Sequence, residues 1–356
     1  MKIVFFLVHP AHYHLFKNIM WQLKAKNHDI RILISKKDVL EQLLINDKWD
    51  YVNLLPNGRK FSYLPLSISS LLGLALTNVK LSFYLIKNRA NLLIGTEHSL
   101  AHSGTLLRIP SILVNEDDTD ATPENYLVYP FATHLLLPAC CDIGKWENKK
   151  ITYHGYHELA YLRPKYFTPD WKYIETFNPN REKFFIIRLV DLSASHDVGK
   201  KGLEIKTIQA IIEKLERYGK VFISSEKPLQ PEFERYKIKI NPLHIFHALY
   251  YSDLVIGDSQ TMIAEAAVLG TPSIRFNDFV GKLGYLEELE HRYGLTYGIP
   301  TSNPEKLLQK IDELLAIENI KNVWEMKRDN LLRDTNDVTE FMFNLIENYP
   351  DSCRKK

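Results

Sequence analysis

Cysteine is scarce in this chain, and its few positions form no zinc-binding or disulfide spacing. Only three cysteines occur in 356 residues. Cys140 and Cys141 are adjacent, and Cys353 lies near the carboxyl terminus. This pattern excludes a disulfide-stabilised scaffold and a zinc finger, and it is typical of proteins kept in a reducing compartment. We therefore expect a cytoplasmic protein.

Several short catalytic motifs are also missing. The sequence contains no Gly-x-Gly-x-x-Gly, which argues against a dinucleotide cofactor, and it contains no P-loop. It lacks the Gly-x-Ser-x-Gly turn that carries the nucleophile of α/β-hydrolases. No Asp-x-Asp pair lies within residues 182–335. We therefore predict neither a metal site nor a cofactor.

The chain carries little net charge and no long apolar run. Its 45 basic and 43 acidic residues leave a net charge of +2, so we expect no nucleic-acid partner. Residues 64–86 form the most apolar stretch, but polar residues interrupt it, so it falls short of a membrane-spanning helix. Contact with an anionic membrane surface, on the inner face of the membrane, is an alternative to a core helix. The basic residues that edge this stretch are Arg59, Lys60, Lys80 and Lys87.

Strand-sized apolar runs alternate with helical patterns in two parts of the chain, residues 1–155 and 182–335. Such alternation predicts parallel, doubly wound sheets, so the fold class is α/β with two Rossmann-like domains. Residues 156–181 contain three prolines and no clear period, which indicates an interdomain connection. Residues 336–356 form a last amphipathic helix and tail. Ligands bind outside the carboxyl ends of such strands, so the two sets of loops should face each other across a cleft.

Residues 254–274 form the most informative local pattern. An apolar strand leads into a polar loop, and a helix of small residues follows until Gly270 and Pro272 stop it. This order brings free backbone amides and the positive end of a helix dipole together, which suits a phosphate group. A well-capped helix in an ordinary α/β protein is the structural alternative. The candidate nucleotide-binding residues here are Asp258, Ser259, Gln260, Thr261, Met262 and Glu265.

The same stretch resembles the nucleotide-sugar loop of GT-B proteins, and in particular that of the UDP-GlcNAc 2-epimerases. The similarity lies in Asp258-Ser259, in Glu265, and in the Leu-Gly-Thr-Pro of residues 269–272. The sequence departs from the epimerase pattern at Ala264, which replaces the first of two glutamates, and at residues 260–261, which replace two glycines. The resemblance implies a nucleotide-sugar substrate, with Glu265 on the ribose.

Other candidates in the second domain lie at the ends of neighbouring predicted strands. Arg188 ends the first strand of this domain, and its guanidinium is suited to a diphosphate. Ser193, Ser195 and Ser225 add hydroxyl donors on the same rim. A structural pair between Arg188 and Asp191 is the alternative role for this arginine.

The first domain supplies the candidates for acid–base chemistry. His12 and His14 follow the first strand, and an imidazole there is suited to act as a general base near neutral pH. Glu97 and Glu116 each follow a later strand, where a carboxylate either accepts a proton or caps the next helix. Packing of the histidines against the helix is their structural alternative.

Four stretches, spread over about residues 1–335, carry a second similarity. They are Pro10–Phe16, Gly155–Leu162, Arg188–Asp197 and Gly257–Leu286. In these stretches the chain resembles the "domain of unknown function 354" proteins of the GT-B superfamily. The sequence departs at residues 116–118, where we expect an Asp-x-Glu-His-Ala pattern and find Glu-Asp-Asp. The resemblance implies a GT-B fold, in which the last helix, within residues 336–356, packs back toward the first domain.

Three functions are compatible with these features. The first is a metal-independent glycosyltransferase for surface polysaccharide or glycolipid assembly, which moves a sugar from a UDP-linked donor to a glycan or lipid-linked acceptor. His12, or failing it Glu97, would deprotonate the acceptor, and the loop after residue 257 would hold the diphosphate. The second is an epimerase that removes the proton from sugar carbon two with Glu97 or Glu116. The third is a non-catalytic nucleotide- or glycan-binding protein.

Overall fold

The computed structural model describes residues 1–37, 39–56, 58, 66–190 and 202–354. The chain forms two compact units. The first comprises Met1–Tyr161 together with Asn336–Lys356, and the second comprises Leu162–Thr335. Each unit is an α/β domain built on its own parallel sheet.

The first unit is built on a seven-stranded sheet in the order β3-β2-β1-β4-β5-β6-β7. All neighbouring strands pair in parallel. The side chains from Ile3 to Leu7 are fully buried, because a parallel strand is covered on both faces and therefore has a continuous apolar sequence. The strands are β1 (Lys2–Leu7), β2 (Asp29–Ser35), β3 (Tyr51–Leu55), β4 (Leu92–Gly95), β5 (Ser111–Val114), β6 (His134–Pro138) and β7 (Lys150–Tyr153).

Helices cover this sheet, and two of them pack on each other. The first helix has Pro10 at its first turn and is capped by His9, whose Nδ1 accepts a hydrogen bond from the backbone N–H of Ala11 at 3.2 Å. The last helix packs against the first, and Thr339 on it donates to the carbonyl of Ala160 at 2.6 Å. The helices are α1 (Pro10–Ala25), α2 (Leu40–Asn46), α3 (Leu66–Lys87), α4 (Ser99–Leu107), α5 (Leu159–Leu162, at the junction of the units) and, at the carboxyl end, α12 (Val338–Glu347).

The second unit has a five-stranded parallel sheet in the order β12-β11-β10-β8-β9. The paired strands Phe184–Leu189 and Leu254–Gly257 come close at Gly257, where a Cβ would lie 2.7 Å from the carbonyl oxygen of Arg188. Only glycine fits there, which lets the loop after β10 start directly beside the end of β8. The strands are β8 (Phe184–Leu189), β9 (Lys220–Ser225), β10 (Leu254–Gly257), β11 (Ser273–Phe276) and β12 (Thr296–Ile299).

The helices of the second unit bury apolar faces against this sheet. On the helix before β9, the buried positions Ile208, Ile211, Ile212 and Leu215 recur at helical spacing. Trp324 is fully buried, and its indole N–H donates to the carbonyl of Leu295 at 2.8 Å. The helices are α6 (Ile205–Leu215), α7 (Ile245–Tyr251), α8 (Thr261–Leu269), α9 (Gly284–His291), α10 (Pro304–Leu315) and α11 (Ile320–Asp334).

The predicted fold class is confirmed, since both units are Rossmann-like domains with parallel sheets. The chain passes from the first unit to the second between Tyr161 and Leu162, and it returns to the first between Thr335 and Asn336. Among the described residues, no helix has the length and apolar character needed to cross a membrane.

Candidate functional site

The loop between β10 and α8 is anchored by a buried carboxylate. Asp258 is 6% exposed. Its Oδ1 accepts a hydrogen bond from the N–H of Val190 at 2.9 Å, and its Oδ2 accepts one from the N–H of Leu203 at 3.3 Å. Burial raises the pKa of this carboxyl to about 6. The two hydrogen bonds of the carboxylate join this loop to backbone groups that lie just before and just after residues 191–201.

Asn277, which follows β11, also holds this loop in place. The amide of Asn277 donates to the carbonyl of Asp258 at 2.9 Å, and Asn277 in turn accepts from the N–H of Phe279 at 2.9 Å. At Gly202, a Cβ would approach Asp258 Oδ2 to 2.4 Å. The absence of a side chain at this glycine therefore permits the contact between the carboxylate and the backbone. As a result, three segments of the second unit converge on one loop.

Helix α8 starts directly from this loop and is buried from Met262 to Leu269, whereas its first residue, Thr261, is partly exposed. The Ser259 hydroxyl accepts a hydrogen bond from the N–H of Met262 at 3.1 Å, which caps the first turn. The first amides of any helix lack intrahelical partners, so the end formed by Gln260 and Thr261 is suited to an anion. Glu265 lies one turn further along the helix and is 6% exposed.

Arg188 and Ser225 lie at the ends of β8 and β9, next to β10 in the sheet. The guanidinium of Arg188 forms an ion pair with Glu226 and donates to the Ser224 hydroxyl at 3.0 Å. Its partner in the described part of the chain is thus Glu226. The alternative partner Asp191, like the candidates Ser193 and Ser195, lies outside the described residues. The Ser225 hydroxyl accepts from the N–H of Lys227 at 3.2 Å.

A second buried arginine lies at the end of β11. Arg275 is 1% exposed and donates to Glu287 at 3.1 Å. Within the described ranges, its Nε and Nη1 atoms have no hydrogen-bond partner. Gly298 on β12 makes room for it, because a Cβ there would lie 3.0 Å from Arg275 Nη2. Arg275 therefore carries a buried positive charge at the same edge of the sheet as the β10–α8 loop.

In the first unit, the strand order β1-β4-β5 brings three candidate residues to the same sheet edge. His12 belongs to the helix after β1, Glu97 follows β4, and Glu116 follows β5. The imidazole of His12 lies 2.7 Å from the hydroxyl of Thr96, the first residue after β4. This contact orients the ring at the carboxyl ends of the strands, where an acid–base group is expected.

His14 lies in a different environment from His12. Its ring packs against the rings of Tyr13 and Tyr161, with centroids 5.9 Å and 5.4 Å away. Burial, assisted by the charge of Lys17, lowers the pKa of His14 to about 3. The imidazole is therefore neutral at physiological pH, and the geometry favours His12 over His14 as a proton acceptor.

Glu97 is buried, at 2% exposure, where α4 begins. Its carboxylate lies 3.5 Å from the N–H of Ser99. This position is compatible with a helix cap, and the catalytic role of Glu97 stays a prediction.

Glu116 forms part of a cluster whose members are distant in sequence. Its Oε2 lies 3.0 Å from Nδ1 of His157, which follows β7. The side-chain oxygen of Asn115 accepts from the N–H groups of Glu116 and Asp117, at 2.9 Å and 3.4 Å. The amide of Asn115 donates to the hydroxyl of Tyr129 at 2.9 Å, which fixes this turn.

Asp117 is the acidic residue in this cluster with the most perturbed pKa. Burial raises the pKa of its carboxyl to about 7, and the negative charge of Glu116 adds to the effect. A carboxyl that titrates near neutral pH can both accept and release a proton there. The sequence does not predict Asp117 and His157 as catalytic residues, because their environments depend on the order β5-β6-β7 in the sheet.

The chain is similar in sequence to one known protein and similar in structure to two solved proteins. An uncharacterized protein of Methanocaldococcus jannaschii is 26% identical over 258 residues, which cover 68% of this chain and 69% of the relative. A UDP-GlcNAc 2-epimerase of the same organism, in complex with UDP-GlcNAc and UDP, is similar in structure with a TM-score of 0.67. It is 14% identical, and the similarity covers 98% of this chain and 99% of the epimerase.

The second structure is a spinosyn rhamnosyltransferase in complex with spinosyn aglycone. Its TM-score is 0.62 at 13% identity, and the similarity covers 98% of this chain and all 100% of the transferase. Similarity at such low identity establishes the fold, which is of GT-B type. A sequence model of one family matches residues 7–350. The chain therefore belongs to the family described as protein of unknown function (DUF354).

Proposed function

We propose that the protein is a nucleotide-sugar-dependent glycosyltransferase of GT-B type. It would transfer a sugar from a UDP-linked donor to a hydroxyl group of a glycan or lipid-linked acceptor, in surface polysaccharide or glycolipid assembly. The observation that carries this proposal is the β10–α8 connection. There, a capped helix amino terminus is held rigidly by Asp258 at the edge of a parallel sheet.

The roles of the second unit follow from this geometry. The first amides of α8 and the hydroxyl of Thr261 would bind the diphosphate, while Ser259 keeps the first turn in place. Glu265, one turn further on, would accept hydrogen bonds from the ribose. The M. jannaschii epimerase of the same fold was solved with UDP and UDP-GlcNAc, which supports a uridine nucleotide here.

The chemistry requires one base and one stabilised leaving group. The base takes the proton of the acceptor hydroxyl, the oxygen bonds to the anomeric carbon of the sugar, and the bond from that carbon to the diphosphate breaks. The electron pair of that bond leaves with UDP, whose added charge the amino terminus of α8 would stabilise without a metal ion. We therefore expect transfer to continue in excess chelator.

Asp117 is the base that the electrostatics favour, because its pKa lies near 7. Burial is the main cause of that raised pKa, and the adjacent carboxylate of Glu116, which lies 3.0 Å from His157, adds to it. His12 is the second candidate, since its imidazole is oriented by Thr96 at the same sheet edge.

A specific observation favours an epimerase as the second candidate function. Two adjacent carboxyls, Glu116 and Asp117, follow the same strand, and proton exchange at a carbon uses one group to remove the proton and another to return it. In that reaction, the proton on sugar carbon two would be removed as the bond from the anomeric carbon to UDP breaks, so that a double bond forms between the two carbons. UDP and a proton would then add back, with inverted configuration at carbon two. The absence of a glutamate at Ala264 counts against this function.

One experiment separates these functions. The full chain is incubated with UDP-GlcNAc in deuterated water, and the products are followed by proton NMR. A transferase leaves carbon two unlabelled and releases UDP only slowly until an acceptor is added. An epimerase incorporates deuterium at carbon two and forms the C2 epimer without any acceptor. Binding of the donor without either reaction would contradict both enzymatic functions and favour a binding protein.

A further inference from the structure

Helix α3 of the first unit carries an exposed apolar stripe. Leu72, Val79, Phe83 and Ile86 are 45%, 53%, 64% and 64% exposed. Their spacing places them on one face of the helix, while Leu81 and Leu85 on the opposite face are buried in the core. Because the core contacts of α3 are made by that opposite face, the packing of this unit does not explain the exposed stripe.

The neighbouring elements extend this apolar character. Helix α4 packs along α3, where the hydroxyls of Ser82 and Ser103 lie 3.1 Å apart, and α4 exposes Leu106 at 72%. His102 of α4 lies 3.0 Å from the carbonyl of Leu127, whose side chain is 60% exposed. Several exposed large apolar side chains on adjacent elements mark a binding surface more often than single ones do.

The charged residues around this surface are mainly basic, and the nearby Asp29 is paired with Arg31 at 2.8 Å. Residues 51–115 contain six Lys or Arg residues and one acidic residue, Glu97, which is 2% exposed. Lys87 and Arg89 are exposed where α3 ends. A second copy of this chain would bring the same basic surface to face itself, because a two-fold contact is self-complementary. An anionic surface complements the charge as well as the apolar stripe.

We propose that this α3 surface binds the anionic face of a phospholipid membrane. The stripe from Leu72 to Ile86 enters the boundary between headgroups and acyl chains, with α3 lying parallel to the membrane. Lys87 and Arg89 contact anionic headgroups. The observations on α3 and α4 carry this proposal independently of the proposed transferase activity.

Vesicle co-sedimentation of the full chain tests the proposal. Vesicles of phosphatidylcholine are compared with vesicles that also contain phosphatidylglycerol, at low and high salt. We expect binding to the anionic vesicles that weakens with salt. Phe83→Ser with Ile86→Ser should weaken it by about tenfold per residue. Lys87→Glu with Arg89→Glu should weaken it by at least about fivefold per residue.

Matched controls come from exposed residues elsewhere in the chain. Ile45→Ser and Met326→Ser alter side chains that are each 62% exposed, and Lys26→Glu alters an exposed lysine at the end of α1. These variants should bind vesicles as the natural chain does, and all variants should keep the natural melting temperature because the side chains are exposed. Equal loss of binding in the controls would overturn the proposal, as would an absence of vesicle binding by the natural chain.

A second copy is the competing occupant of this surface, and sedimentation velocity identifies it. If the natural chain is a dimer that the Phe83→Ser and Ile86→Ser changes convert to a monomer, and neither form binds vesicles, the surface is a dimer interface and the membrane proposal is wrong.

Discussion

Asp117 and Glu116 are neighbours in the chain, yet their surroundings differ. Glu116 lies 3.0 Å from His157, whereas Asp117 is partly buried beside other negative charges. Burial therefore holds the pKa of Asp117 near 7, far above its usual range. The sequence shows only a run of three acids, Glu116 to Asp118, after a strand, since the environments that distinguish them depend on His157, about 40 positions away.

Asp117 should make folding stability depend on pH. Its folded pKa of about 7 exceeds its unfolded value of 3.8, so the native state binds more protons between these pH values and loses stability as pH rises through that window. Asp117→Asn removes this loss. At pH 8 the variant should be more stable than the natural chain by about 1 to 2 kcal/mol, after allowance for partial exposure. Chemical denaturation at pH 4 and pH 8 measures the difference.

For Asp117→Asn, the measurement at pH 4 is the control for the measurement at pH 8. Near pH 4 the native carboxyl is already protonated, so the variant and the natural chain should differ little. An equal gain in stability at both pH values would show that the effect is steric and not electrostatic.

Arg188 shows the limit of local sequence at the residue scale. Asp191, the partner that the sequence suggests, lies outside the described residues, and within them Arg188 pairs with Glu226, which follows the adjacent strand β9. Partners across parallel strands are separated by a whole helix in sequence, so strand order must be known before they can be identified.

At the scale of elements, the β10–α8 connection follows closely from its sequence. An apolar strand, a polar turn and a helix stopped by Gly270 are predicted, and the structure has β10, the loop and α8 with Gly270 in a left-handed conformation at φ 79°. Local signals are strong here because the caps and the stop lie in adjacent residues.

Helix α11, by contrast, does not follow from its local sequence. The pattern of apolar residues predicts no helix between residues 316 and 337. This helix is largely polar, and Trp324 and Leu331 are its only buried residues. Six apolar positions lie among nine polar ones, with none between Met326 and Leu331, so the apolar pattern is interrupted in the middle of the helix. The helix is stabilised by tertiary contacts such as the bond from the Trp324 indole to the carbonyl of Leu295.

The cap of α8 can be tested by itself. Ser259→Ala removes the hydroxyl that accepts from the N–H of Met262, so the free energy of unfolding should fall by about 1 kcal/mol. Ser302→Ala, at an exposed turn position, should change it by less than about 0.5 kcal/mol. Urea unfolding of both variants gives the comparison, and equal stabilities would mean that the cap does not hold the helix.

At the scale of the whole molecule, the carboxyl-terminal segment belongs structurally to the first unit. Helix α12 packs against α1, and His154 and Asn336 exchange hydrogen bonds at 2.7 Å and 2.8 Å. A return of this helix toward the first domain is expected from the sequence by resemblance to the GT-B superfamily, whereas no local pattern specifies its partner.

Truncation after Thr335 should therefore affect the two units unequally. The shortened chain loses four buried apolar side chains of the first unit, and large apolar deletions in a core cost about 2 to 5 kcal/mol each. That sum exceeds the stability of a typical domain, so the first unit should unfold while the second remains folded. The deleted side chains are Val338, Met342, Leu345 and Ile346.

Limited proteolysis of the truncated chain, with mass analysis of the resistant core, measures the outcome. A core that corresponds to residues 162–335 is expected. Survival of both units, or loss of both, would contradict the assignment of α12 to the first unit alone.

The central claim is that the β10–α8 loop of the second unit binds a UDP nucleotide, and calorimetric titration of the full chain with UDP tests it most directly. The natural chain should bind UDP, Glu265→Ala should bind it about tenfold more weakly because one charged hydrogen bond is lost, and Ser302→Ala should bind it normally. Unchanged affinity in Glu265→Ala would contradict the ribose contact. An absence of binding by the natural chain to UDP or to UDP-sugars would contradict the claim itself.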